Sequence, residues 1–414
     1  MKKIIMISNE LSPYKIYGGL GVATKRLTDQ LISCGNSVTI IFPSNDYVFT
    51  KSMDNLEIIS FFMEDINYKS SNNKIAEYFG NISKKIMTEI AKLNIPKKSI
   101  FIVHDNEMAL TIKLIKKFFP DCKIIFWLHS LYDYPKRKFF NEDYKKLFSC
   151  ESLLASAINN SDLIVTSSGI IKDSKTIEWP KVINEIKKSL IKAKNENKIL
   201  EVESFGCLPK KLKNKNNTEI KGDKDYFLFP SRPSFSKGIG FFGELSNNHK
   251  NNYDFFAVGP MPKEILELYP AIKEIKWLSQ EELFSLMKSA KGVILPSITE
   301  GYGLSAAESI LLSATTIYHD VGGHDILKNY HNSFFPSLTK KQKEKLYLFW
   351  GELLEEKQEP IKIWLKSKAN FNDLFEWWEK IITTLPSTNK KNKNKKNNKT
   401  WGQLITEEIE KREW

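Results

Sequence analysis

The sequence predicts an α/β protein built from two doubly wound, Rossmann-like domains facing each other, and three observations carry that reading. At 414 residues the chain exceeds the roughly 250 to 300 residues at which a single hydrophobic core stops growing. Short, continuously apolar runs rich in β-branched and aromatic residues alternate with stretches of helical period, the pattern of parallel strands covered on both faces. The alternation stops once, at 208–224, where "LPKKLKNKNNTEIKGD" loses all apolar periodicity, and then restarts.

The elements follow in order. "KKIIMIS" reads as the first strand, "YGGLG" as a glycine turn and "VATKRLTDQLISCG" as a helix stopped by Gly35, with "NSVTIIF" as the next strand. "KSIFIVHD", "CKIIFWLHS" and "SDLIVTSS" are further strands, the first two separated by the helical "NEMALTIKLIKKFF". The first domain therefore spans 1–207, a linker 208–224 and the second domain 225–365. There "YFLFPS" leads through "KGIG" into the helix "FFGELSNN", followed by strand "YDFFAVG", helix "SQEELFSLMKSA" and strand "KGVILPSIT". A helix over 366–385, containing "FNDLFEWWEKIITTL", is expected to pack back toward the first domain. Residues 386–399, "PSTNKKNKNKKNNK", read as a basic low-complexity tether with too little apolar surface to fold. Residues 400–414 read as a terminal helix that docks on the body through Trp401.

Composition excludes several classes. The longest apolar runs, such as "IIFWL", fall far short of the roughly 20 residues of a membrane span, and "MKKIIMISNE" ends in polar residues before a signal-peptide core could form. Cytoplasmic residence is the expectation. Cys34, Cys122, Cys150 and Cys207 are too scattered for a zinc site or a disulfide framework. The net charge is +13, yet 58 of the 62 basic residues are lysine and only Arg26, Arg137, Arg232 and Arg412 are arginine. Base readout leans on the guanidinium fork, so nucleic acid is not the expected partner. Most of the charge is solvated surface; the excess suits peripheral contact with an anionic membrane or a phosphorylated acceptor.

In open α/β sheets ligands sit beyond the carboxyl ends of strands. Four motifs lie there: "YGGLG" (Gly18, Gly19, Gly21), "SRPSFSKG" (Arg232, Lys237, Gly238), "EGYGLSAAE" (Glu300 to Glu308) and "DVGGH" (Gly322, Gly323). Glycine lets the backbone approach a ligand, and the following helix offers free N–H groups and a positive dipole end to a phosphate. Arg232 and Lys237, on one loop, add two cations whose charge-assisted hydrogen bonds suit a diphosphate.

The set resembles the retaining GT-B glycosyltransferases of the glycogen-synthase-like group: Gly-Gly-Leu near the amino terminus, Arg followed five residues later by Lys-Gly, then Glu with seven residues before the next Glu. The ordered blocks extend over residues 1 to 330. The resemblance implies a GT-B fold and retaining, metal-independent transfer from a nucleotide-sugar donor, UDP favoured, to an acceptor hydroxyl, with no cofactor. The product would be a cell-surface glycan or a small glycoside. It implies that Arg232 and Lys237 hold the diphosphate, with Gly18, Gly19 and Leu20 facing it. Glu308 would bind the ribose hydroxyls. Glu300, followed by Gly301, Tyr302, Gly303 and Leu304, would face the donor sugar, with His129 beside it. His104 and the segment "LYDYPKRKFFNEDYKK", with Tyr132 and Tyr134, would line the acceptor side. The catalytic set is then His129, Glu300, Arg232 and Lys237.

Plainer roles compete. Ser305 to Glu308 also fits a capping box, His104 and His129 could simply satisfy neighbouring backbone groups, and "EWWEK" reads as packing. "GIGFFG", Gly238 to Gly243, fits the dinucleotide fingerprint but lies too far from its strand and lacks the acid on which ribose recognition depends. "DKD", Asp223 and Asp225, precedes its strand and reads as linker. Lys15 stands one residue further from the glycines than in glycogen synthases, and no phosphate role is given to it. "GGHD" replaces the Pro-Glu of related enzymes, and "ESFGCLP" their Asn-Gly-Ile loop. A nicotinamide-dependent oxidoreductase and a catalytically silent GT-B partner subunit are the alternative functions.

Overall fold

The structure, a computed structural model, describes residues 2–15, 19–46, 48–64, 72–104, 106–129, 138–141, 146–167, 184–208, 224–330, 332–355, 360–385 and 399–414. It divides into two units. One comprises Met1–Lys175, Trp179–Val202 and Asn398–Trp414; the other comprises Thr176–Glu178 and Glu203–Asn397.

In the first unit the order is β1 (Lys3–Ile7), α1 (Gly19–Ser33), β2 (Ser37–Ser44), β3 (Thr50–Met53), β4 (Leu56–Phe62), α2 (Asn72–Ala91), β5 (Ile100–His104), α3 (Ala109–Phe118) and β6 (Lys123–Trp127). A hairpin, β7 (Lys138–Asn141) and β8 (Lys146–Ser149), precedes α4 (Cys150–Asn160), β9 (Leu163–Ser167), α5 (Asn184–Asn195) and β10 (Ile199–Val202). The sheet order is β10-β9-β6-β5-β1-β2-β4-β3, parallel except for the β3–β4 pair. Ile4, Ile5, Met6 and Ile7 are all fully buried, as a strand covered on both faces requires. Crossovers in such sheets are right-handed. The β1–β2 connection runs one way along the sheet, and those through α2, α3, α4 and α5 run the other. Hence α1 lies on one face and α2 to α5 form a contiguous layer on the opposite one.

In the second unit the order is β11 (Tyr226–Phe229), α6 (Ile239–His249), β12 (Asp254–Val258), α7 (Lys263–Leu268), β13 (Ile272–Ile275), α8 (Gln280–Ser289), β14 (Gly292–Leu295), α9 (Leu304–Leu311), β15 (Thr316–Tyr318) and β16 (Ser333–Phe334). Helices α10 (Lys340–Glu355), α11 (Pro360–Ser367) and α12 (Asn372–Thr384) follow. The sheet is fully parallel, in the order β13-β12-β11-β14-β15-β16. Alternate residues of one strand enter different cores: Phe227 and Phe229 pack with Ile294 and Trp378, whereas Tyr226 and Leu228 pack with Val293 and Ala306. That is the period-two signature of a sheet buried on both sides.

The two units are bounded differently from the sequence expectation. The first unit ends at Val202 rather than at 207, because Leu208 joins the second unit's core and residues 204–207 pack against α9. Helix α12 contributes Leu374, Trp378 and Ile382 to that same unit's core. The segment that clusters with the first unit is the terminal helix, α13 (Trp401–Lys411), which packs on α1. The tether, apart from Lys399, lies outside the described residues. No described helix is long and apolar enough to cross a membrane.

Candidate active site

The second unit's site begins where β11 ends. Ser234 caps a single 3-10 turn, Phe235–Lys237, and Gly238 follows at φ 82°, the start of α6. A Cβ at Gly238 would lie 2.0 Å from the Pro296 carbonyl oxygen, so only glycine allows the loop to seat on the end of β14. The Ile298 amide donates to the Ser236 carbonyl at 3.0 Å, joining the loops that carry the two motifs.

The seating brings the predicted charges together. Lys237 Nζ donates to Glu300 Oε2 at 2.8 Å, and Ser297 Oγ donates to the same oxygen at 3.3 Å. Burial pushes the Glu300 carboxyl up, but Lys237, the neighbouring His324 and these hydrogen bonds hold it below the usual carboxylate range. Arg232 is exposed on the same loop as Lys237. Gly322 and Gly323 let a second loop interlock with the first. The Gly323 amide donates to the Glu300 carbonyl at 3.1 Å, and a Cβ at Gly322 would lie 1.8 Å from that oxygen. Gly301 and Leu304 are half-buried and Tyr302 is buried in this turn.

The capping-box reading of Ser305 and Glu308 is corrected. The N-cap of α9 is Gly303 at φ 64° with no side-chain cap, which places Ser305 and Glu308 inside the helix. Glu308 is instead a buried carboxylate that accepts from Gln280 Nε2 at 3.4 Å.

His319 and His324 add what the sequence reading missed. The Trp378 indole N–H donates to His319 Nε2 at 2.9 Å, leaving the ring's hydrogen on Nδ1, which donates to the Ser297 carbonyl at 3.2 Å. Burial lowers the His319 pKa to about 3. An aromatic from "EWWEK" thus sits in the core and also orients, through His319, the residue that binds Glu300. His324 Nδ1 lies 2.9 Å from the His319 carbonyl, and a Cβ at Gly303 would lie 2.3 Å from the His324 ring. Burial lowers the His324 pKa while Glu300 pulls it the other way. The available signal was the position of His324 directly after Gly322-Gly323; His319 carried none beyond its place after a strand.

"GIGFFG" has a packing explanation. Cβ atoms at Gly240 and Gly243 would lie 2.4 Å from Trp364 and 2.3 Å from Tyr269, so these glycines admit rings rather than a dinucleotide. Asp225 pairs with Lys291 at 2.8 Å, and Asp223 lies outside the described residues. Among the described residues no three His, Cys, Asp or Glu side chains gather as a metal site would require.

In the first unit, His104 Nδ1 and His129 Nε2 lie 2.9 Å apart at the ends of β5 and β6, with their rings stacked. Burial lowers the His129 pKa to about 3, and burial together with His129 lowers that of His104 well below its ordinary value. Neutral imidazoles that hydrogen-bond each other share one hydrogen between them. Gly19 and Leu20 open α1, and the Gly21 amide donates to Glu10 Oε2 at 3.2 Å. Asn9 Nδ2 donates to Glu107 Oε2 at 2.5 Å. Glu10, Lys15 and Glu107, all buried, were assigned no function by the sequence reading, although "SNE" and "HDNE" stand at the ends of β1 and β5. Gly18, Tyr132 and Tyr134 lie outside the described residues.

Residues 3–174 match the starch synthase catalytic domain family. No curated protein sequence matches the chain. Among solved structures, sucrose-phosphate synthase from Thermosynechococcus elongatus aligns with a TM-score of 0.58 at 14% identity, covering 92% of this chain and 100% of its own. The catalytic domain of starch synthase IV from Arabidopsis thaliana, bound to ADP and acarbose, aligns at 0.58 and 14%, covering 91% and 99%. An α,α-trehalose-phosphate synthase from Burkholderia xenovorans, in complex with glucose-6-phosphate, aligns at 0.57 and 11%, covering 91% and 100%. With the starch synthase catalytic domain recognised over residues 3–174 and GT-B synthases sharing the fold along nearly the whole length, this chain is a glycosyltransferase of GT-B fold.

Proposed function

We propose that the protein transfers a sugar from a UDP-sugar to an acceptor hydroxyl with retention and without a metal ion. The observation that carries this reading is the Lys237–Glu300 pair, held at 2.8 Å beside Gly238 at the start of α6. A cation and a helix N-terminus suit a diphosphate, and an adjacent carboxylate suits sugar hydroxyls. Arg232, Lys237 and the α6 amides stabilise charge on the departing diphosphate as the bond from the anomeric carbon to the phosphate oxygen breaks. The acceptor oxygen bonds to that carbon on the same face, and its proton passes to a phosphate oxygen of the leaving group. Glu308 accepts from the ribose hydroxyls and Glu300 from those of the sugar. The roles that the resemblance implies for His129 beside the sugar, for His104, for Gly18, Gly19 and Leu20 at the phosphates, and for Tyr132 and Tyr134 at the acceptor belong to the same proposal.

The relatives bear on partners. Solved neighbours carry ADP in one case and glucose-6-phosphate in another, and a chain of net charge +13 suits an acceptor that is itself phosphorylated. Nothing supports the nicotinamide alternative, and the space at Gly240 and Gly243 in the fingerprint-like motif is filled by Trp364 and Tyr269. Calorimetric titration with UDP, ADP and NADH, followed by turnover of UDP-glucose with EDTA present, tests the reading. UDP binding, EDTA-resistant turnover and an α-configured product are expected. NADH binding in place of UDP, or an inverted product, would overturn it.

A further inference from the structure

At the ends of β5 and β6 the two histidines named above belong to a ring stack whose third member, Trp127, has no role in the chemistry above. His104 and Trp127 are paired across β5 and β6 with centroids 5.3 Å and planes 9° apart, and His129 stacks on them at 5.2 and 6.1 Å. Trp127 is fully buried, and its indole N–H has no hydrogen-bond partner among the described residues, so packing alone sets its rotamer. Part of that packing comes from the far end of the chain: Trp401, at the start of α13, lies 5.0 Å from the Trp127 ring.

The seating of α13 is specific. Trp401, Ile405 and Ile409, spaced four apart, form its buried stripe. Thr400 and Gln403 close a capping box that fixes where the helix begins. The Gly402 amide donates to Gln30 Oε1 at 3.0 Å, and a Cβ at Gly402 would lie 2.5 Å from that of Gln30, so glycine sets the distance from α1. Asn36 Nδ2 donates to Thr406 Oγ1 at 3.1 Å, and Arg412 donates to the Asn197 carbonyl. At the other end of the helix Lys123, the first residue of β6, lies 6.0 Å from the Trp414 ring. The helix therefore runs along β6, covering the strand beside α1.

We propose that α13 is a positioning element for the reaction: by packing Trp401 on Trp127 it fixes the ring stack that holds His104 and His129 in register. This rests on the role given to His129 above. Both tryptophans act through the histidines and touch no substrate.

The test compares full-length Trp401→Ala, Trp401→Phe, Gly402→Val and His129→Ala with wild type, measuring nucleotide release from UDP-glucose and ADP-glucose and UDP affinity by calorimetry. Trp401→Ala is expected to lower kcat by roughly 10- to 100-fold, the effect of displacing a reacting group by about an ångström. UDP affinity should change little, because Arg232, Lys237 and Glu308, the charged residues assigned to UDP, lie in the second unit. Trp401→Phe should recover most of the rate, and Gly402→Val, which lifts the helix by its backbone, should reproduce the loss. Wild-type kcat in Trp401→Ala, with turnover lost in His129→Ala, would overturn the role of the helix alone. Equal losses of kcat and UDP affinity in Trp401→Ala and Trp401→Phe would also overturn it, since general unfolding explains them. Full turnover in His129→Ala would overturn the histidine assignment instead.

Discussion

Each predicted site residue can be probed singly. Arg232 is exposed while its loop is held by Gly238 and Ser234, so Arg232→Ala should leave the fold intact. Loss of a preorganised charge donor costs about 3 to 4 kcal/mol in the transition state, so steady-state kinetics should show kcat reduced by two to three orders of magnitude; a loss confined to acceptor KM would remove Arg232 from the phosphate site. Glu308 lies inside α9, whose N-cap is Gly303. Glu308→Gln should therefore keep the melting temperature and weaken UDP binding, and calorimetry showing unchanged affinity would return Glu308 to a structural role. The histidines set the acid response. His129 and His319 are held at about 3 by burial, whereas in the unfolded chain they titrate near 6.5. Between those values the unfolded chain binds protons that the folded chain refuses. Stability is thus complete above pH 6.5 and falls by about 1.4 kcal/mol per pH unit per histidine as the pH drops toward 3. Thermal melts from pH 7.5 to 5 should record the decline, and a flat profile would contradict the burial of these rings.

At the scale of elements, the turns do the placing. Gly238 combines φ 82° with a 2.0 Å approach to the Pro296 carbonyl, so Gly238→Ala should strain the turn, lift the loop from β14 and separate Lys237 from Glu300. Stability should fall by about 1 kcal/mol or more and turnover with it; retained turnover would mean that the pair is not needed. The motif-bearing strands were legible because their ends are marked by glycine and charge, as in "SRPSFSKG" and "EGYGLSAAE". The helices α6, α8 and α12 were legible by period. Among the elements that went unread are the β3–β4 pair, α2 and β13. β3 is an exposed edge strand, with all four residues open to solvent, and β13 buries only Ile272 fully, so neither shows the continuous apolar run of its neighbours. The capping box at Ser305 failed because Gly303, in the left-handed region, ended the turn two residues earlier. The His319 relay was unreadable since Trp378 lies 59 positions away along the chain.

For the whole molecule, the chain order and the two units do not coincide. The carboxyl-terminal residues Asn398–Trp414 belong to the first unit although the second, to Asn397, comes between. The donor residues Arg232, Lys237, Glu300 and Glu308 lie in the second unit and Gly19 and Leu20, at the start of α1, in the first, so UDP should slow backbone hydrogen exchange most around β11, α6 and α9 and less at the start of α1. The most direct measurement of the central claim, that a diphosphate and its two sugars are gripped by the loops after β11 and β14, is a crystal structure of the protein with UDP. The account predicts the diphosphate against Arg232, Lys237 and the first amides of α6, with the ribose hydroxyls on Glu308; UDP bound elsewhere, with Lys237 still paired to Glu300 and no phosphate beside them, would contradict it.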